Sequence, residues 1–140
     1  MKHLLHYFQI AFASIGGFAA WFLGGIDGYI YVLVVFIVVD YITGIMKSLV
    51  DRNLSDEKGF RGVFKKITLF MLIGITNLID NYLLMGSGAF RAAVVFFYIS
   101  NEGISILDNA HKIGLPVPTK LQRLISYLRD RSEEKKECLK

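Results

Sequence analysis

YIYVLVVFIVVDYITGIMKSL, residues Tyr29 to Leu49, is long enough and apolar enough to cross a bilayer, yet it carries an aspartate, Asp40, near its middle. About 20 apolar residues rising roughly 1.5 Å each match a hydrocarbon core about 30 Å thick. A carboxylate at the centre of such a helix costs on the order of 2.5 to 3.5 kcal/mol to insert. Asp40, Thr43, Gly44 and Lys47 recur at i, i+3, i+4 and i+7, so a helix gathers them into one polar, small-residue stripe with aliphatic side chains elsewhere. Such a stripe must face protein or water, which makes this segment one member of a helical membrane assembly.

The whole chain supports that setting. It has 140 residues, 54% of them hydrophobic, and a mean hydropathy of +0.46, with apolar residues arriving in blocks. These features predict one all-α integral membrane domain of four spans over residues 1–112, at about 7–23, 29–49, 63–85 and 90–110. A cytoplasmic segment of residues 113–140 follows. The formal net charge of +4 comes from basic residues that flank apolar blocks, so it reads as a topology signal and not as a nucleic-acid footprint. Cys138 is the single cysteine and lies in a charged tail, which excludes an intrachain disulfide.

The first block begins after a short basic start but lacks a clearly placed small-residue cleavage pattern, so it reads as a span and not as a signal peptide. GGIDG then turns the chain directly into the second span, as in a helical hairpin. Ala13, Gly17, Ala20 and Gly24 share one face of the first block and are candidates for close helix packing. VDRNLSDEKGFRGVFKK, after Leu49, reads as a charged loop running into the third span. That span places Gly74, Asn77 and Asn81 on one face with Asp80 near its end, and the amides suit bridges between helices. GSG at Gly86 to Gly88 breaks the chain before a fourth, more polar span containing Asn101, Glu102, Ser105 and Asp108.

Gly114 and the two prolines of HKIGLPVP end the fourth span. Leu121, Leu124, Ile125 and Leu128 then recur with helical period, while Lys120, Arg123, Arg129 and Arg131 lie off that face. The pattern predicts a short basic amphipathic helix suited to an anionic lipid surface or to packing on a cytosolic loop. Of the sixteen lysines and arginines, only Arg91 falls on the side opposite the termini. The positive-inside tendency therefore places both termini in the cytoplasm. Arg91 and Asp80 fall at the same outer end and are a candidate ion pair.

Asp40 and Glu102 fall near mid-depth, Asp108 nearer the cytoplasmic end, and Lys47 below Asp40. These groups could join helices or pair with Lys47, line a lumen shared by several subunits, or relay protons. The relay is disfavoured because no span is interrupted and no repeat is evident. His3, His6 and His111 lack metal-ligand spacing, no nucleophile motif occurs, and no loop has a phosphate-cradling context, so neither a cofactor nor catalysis is expected.

Four strings in order, DYITGIMKS at Asp40 to Ser48, GFRGVFKKI at Gly59 to Ile67, SNEGISILDNA at Ser100 to Ala110 and GLPVPTKL at Gly114 to Leu121, resemble the phage holins of the toxin-secretion and phage-lysis type, holin family 4. The resemblance covers roughly residues 16–128. It implies a small protein of the bacterial cytoplasmic membrane that accumulates as homo-oligomers and opens timed lesions. Through these a phage endolysin, or in some relatives a toxin, leaves the cell without a required direct contact. Two other classes fit the same composition: a small ion channel or transporter subunit using the intramembrane acids, and a membrane adaptor acting through its C-terminal helix.

Overall fold

The computed structural model describes residues 2–52, 56–124, 126–127 and 130. Among them there are four long helices and no strand. These are α1 (Lys2–Phe22), α2 (Gly28–Val50), α3 (Asp56–Leu83) and α4 (Ala89–Ile113). All four are long and apolar enough to cross a membrane.

Two helices start earlier than hydropathy alone suggests. α1 begins five residues before the expected boundary, and α3 takes in the charged stretch read as a loop. Leucine, glutamate, lysine and arginine are good helix formers, so the backbone helix outlasts the apolar window. One consequence reaches the site: Lys66 lies well inside α3 and not at its edge. α4 likewise continues to Ile113, where Gly114 closes it in a left-handed conformation at φ 100°.

Packing does not follow chain order. α4 lies against both α2 and α3, and α1 leans on α3. The expected hairpin of the first two spans is not a packed pair, since α1 and α2 share no seam. Gly24 and Gly25 both take positive φ in the turn between them, which lets the two helices splay apart. Gly24 therefore belongs to this turn and not to the α1 seam. The apolar core joins Ile30 and Leu33 of α2, Leu69 and Ile73 of α3, and Val95 of α4. Large apolar side chains cover the outside, from Phe8 and Phe12 on α1 to Phe97 on α4, as expected for a surface whose solvent is lipid.

Residues 119–124 are helical, with Lys120 and Arg123 exposed. Arg129 and Arg131 lie outside the described residues.

Candidate functional site: an intramembrane polar cluster

The buried face of α4 repeats at seven-residue steps through Val95, Glu102 and Asn109, with Arg91 one turn before the first. This face therefore carries two polar groups into the middle of the bundle. α2 presents Asp40 and Thr43 to it, and α3 presents Lys66. The Lys66 ammonium donates to Asp40 Oδ2 at 2.9 Å and also to Glu102 Oε2. Asn109 Nδ2 donates to Asp40 Oδ1 at 3.3 Å and to Thr43 Oγ1 at 3.2 Å. Thr43 in turn donates to the Asp40 carbonyl. Three helices thus converge on one ammonium, two carboxylates and an amide.

The cluster answers the cost of Asp40 with a cation that sequence reading assigned to the loop flank. Asp40 pairs with Lys66 and not with Lys47. Lys47 instead stands beside Lys112 and Asp108 at the end of the bundle that holds the chain termini, where Lys112 bonds Asp108 one turn away. A spacing signal for Lys66 was present. It precedes the buried Leu69, Ile73, Asn77 and Asp80 on one face of α3, just as Asn109 follows Glu102 by one heptad.

The cluster is not sealed. A groove of about 630 Å³ runs between α3 and α4 with Asp40, Lys66 and Glu102 at its floor. Leu69, Leu72 and Tyr98 form its apolar part, and Asn101 and Ser105 line it with polar groups. Asn101 is exposed there. A second, largely apolar groove lies between α2 and α3, lined by Ile37, Tyr41, Ile67 and Phe70 among others, and reaches Lys66 from the other side.

A separate network ties the opposite end, where residues 23–27 and 84–88 turn. Asp80 accepts from the backbone N–H groups of Arg91 at 2.6 Å and Phe90 at 3.3 Å, and from the Ser87 hydroxyl. The expected Arg91–Asp80 ion pair is not what forms. The Arg91 guanidinium bonds Asp27 at 2.7 Å and the carbonyls of Leu23 and Gly25. This hydrogen bond from Arg91 holds the Asp27 carboxyl below the ordinary aspartate range, against a smaller opposing effect of burial. Asp27 also caps α2 by accepting the Ile30 N–H.

Asn77 bridges α3 to the end of α1, donating to the Phe22 carbonyl at 3.1 Å and accepting from Asn81. A Cβ at Gly74 would run into the Phe22 ring. Towards the start of α1 the situation differs: Ala13 and Gly17 are exposed and Ala20 is half-buried, with nothing near a Cβ built at Gly17. Gly44 lies on the α2 stripe against Asn109. Among the described residues no group of histidines, cysteines and carboxylates has the arrangement of a metal site.

Four apolar helices, three of them joined through a polar cluster, define a multi-pass helical membrane protein. Residues 17–130 match the model of the bacteriophage holin family, and the chain belongs to that family. Its place is the cytoplasmic membrane. It is 34% identical over 131 residues to an uncharacterised 14.9 kDa protein of Clostridium perfringens, covering 94% of this chain and 99% of that one. With an uncharacterised protein of Listeria monocytogenes it shares 39% identity, covering 98% and 95% of the two chains. A probable holin of Bacillus phage phi105 is 28% identical over 116 residues, covering 83% and 85%. No solved structure matches the chain.

Proposed function

We propose that the protein is a holin that accumulates as homo-oligomers in the cytoplasmic membrane and, at a set time, opens lesions through which an endolysin or a toxin escapes, leading to cell lysis. Both termini lie in the cytoplasm, following the distribution of lysine and arginine. Anionic lipids attract the basic segment after Pro118. The released enzyme passes through without binding, and the protein has no catalytic role and no nucleic-acid partner.

The observation that carries the reading is the polar floor of the α3–α4 groove. A lone subunit in lipid leaves Asn101, Ser105 and the edge of the Lys66 cluster facing hydrocarbon, which is unfavourable for polar groups without partners. Such a face is stable against protein and equally stable against water. A subunit with these properties supports both a closed assembly and a wetted lesion, and crowding in the membrane moves it between them. A narrow cation channel is the second reading, but Lys66 already occupies the space between the two acids that a permeant cation would need.

Induced expression in bacteria, with membrane potential and release of a cytosolic enzyme recorded together, tests the reading. The holin reading expects an abrupt, delayed loss of both. Gradual depolarisation with the enzyme retained would replace it with the narrow channel.

A further inference from the structure

We propose that the α3–α4 groove is the seat for α1 of a second copy of this chain, so that subunits join head to tail. The inference rests on the holin reading only for its setting, a membrane in which copies meet at the same depth.

The groove and the free face of α1 point to opposite sides of the subunit. On α3, Gly74 and Asn77 hold Phe22 of the same chain. Thr68 and Leu72, which line the groove, lie roughly half a turn of helix away from them. On α1, Phe22, whose ring lies against Gly74 of its own α3, stacks on the exposed Phe18 one turn below. The same periodicity places Gln9, Ala13, Gly17 and Ala20 on the reverse face. Gln9, Ala13 and Gly17 are exposed. One subunit therefore offers a small, partly polar ridge on one side and a polar-floored groove on the other.

Depth makes the two fit. Copies related by an axis along the bilayer normal keep every residue at its own level, so a ridge meets whatever lies at equal depth on its neighbour. Counting equal rises down both helices from the Phe22–Gly74 contact sets Gln9 level with Arg61, Ala13 with Lys65, and Gly17 about one turn above Ala13. The small residues thus come opposite Leu69, Leu72 and Tyr98, where the groove wall is bulky. Gln9 comes at the mouth near Gly62 and Ser105, where a lipid tail offers no hydrogen bond. Glycine and alanine permit the close backbone approach that helix association in lipid requires. Because ridge and groove differ, the contact is heterologous and propagates into rings or open rows instead of stopping at a dimer.

Cysteine cross-linking in membranes tests this, on a C138S background. Ala13→Cys in one tagged chain is co-expressed with Ser105→Cys in another and oxidised. The expected result is an A13C–S105C heterodimer, with a ladder of multimers when both cysteines are in one chain. Ala11→Cys, on the Phe18–Phe22 side of α1 and so opposite the ridge, serves as the same-size control and should lose the cross-link. Gly17→Phe, added to Ala13→Cys, should abolish it while the chain remains inserted. Equal cross-linking from Ala11→Cys, self-cross-linking of Ala13→Cys in preference to Ser105→Cys, or absence of the heterodimer in inserted protein would overturn the proposal. Enzyme release, read separately on the C138S parent, keeps the two readings apart. Release without the cross-link removes the docking and leaves the holin; the cross-link without release does the reverse.

Discussion

The carboxylate of Asp80 accepts the backbone N–H of Arg91 at 2.6 Å, while the Arg91 guanidinium reaches past it to Asp27. A buried acid of α3 therefore caps α4 from outside that helix, where Gly88 has no side chain to do so. Asp80→Ala leaves two N–H groups at the start of α4 without their acceptor. A loss of about 1 to 2 kcal/mol is expected, on the scale of a deleted helix cap. Thermal unfolding in detergent measures it, and an unchanged midpoint would show that the cap is dispensable.

Asp27 gives this end of the bundle a pH dependence of known sign. Its folded-state carboxyl is held low by Arg91, so its contribution is complete above the ordinary aspartate value of about 3.9 and is lost as pH falls through the lower folded value. The unfolding midpoint of the parent is expected to fall on acidification through that window. Asp27→Asn should flatten that fall relative to the parent; parallel curves for the two would refute the assignment.

Lys66→Met removes the cation shared by Asp40 and Glu102 and leaves two carboxylates facing each other in a low-dielectric site. Breaking a buried pair in this way costs about 3 to 5 kcal/mol. Neutralising the acids as well, with Asp40→Asn and Glu102→Gln, should recover much of the folded yield. Yield and midpoint of the single and triple variants, measured side by side, decide whether charge or packing is responsible.

Much of this architecture was legible beforehand. The four spans follow from block hydropathy, and Asp40 with Glu102 stood out because acids are costly in lipid. Lys66 escaped because a hydropathy window ends where charge begins, although the helix does not; the heptad linking it to Ile73 and Asp80 carried the missing information. The exchange of partners at Arg91 was not legible at all. Equal depth suggested Asp80, but the direction of the guanidinium depends on the left-handed turn at Gly24 and Gly25, which turns the carbonyls of Leu23 and Gly25 towards it.

Gly74 offers a test of how α1 is held. Gly74→Ala places a methyl group where the Phe22 ring lies, so α1 should detach from α3 while the core of α2, α3 and α4 persists. Trp21, the single tryptophan, sits beside this contact and reports it. Its emission should shift in Gly74→Ala and return in the double variant with Phe22→Ala. An unshifted spectrum in the single variant would mean that α1 is held elsewhere.

The order in which the three charges of the cluster leave the ribosome is itself informative. Asp40 is synthesised first, Lys66 next and Glu102 last, each on a different helix. α2 therefore carries an uncompensated acid until α3 supplies the ammonium, and the neutral pair so formed then receives α4 with its second acid. Biogenesis of this small protein is a relay of half-finished charges, and a pause between α2 and α3 would leave its most exposed intermediate for membrane proteases to find.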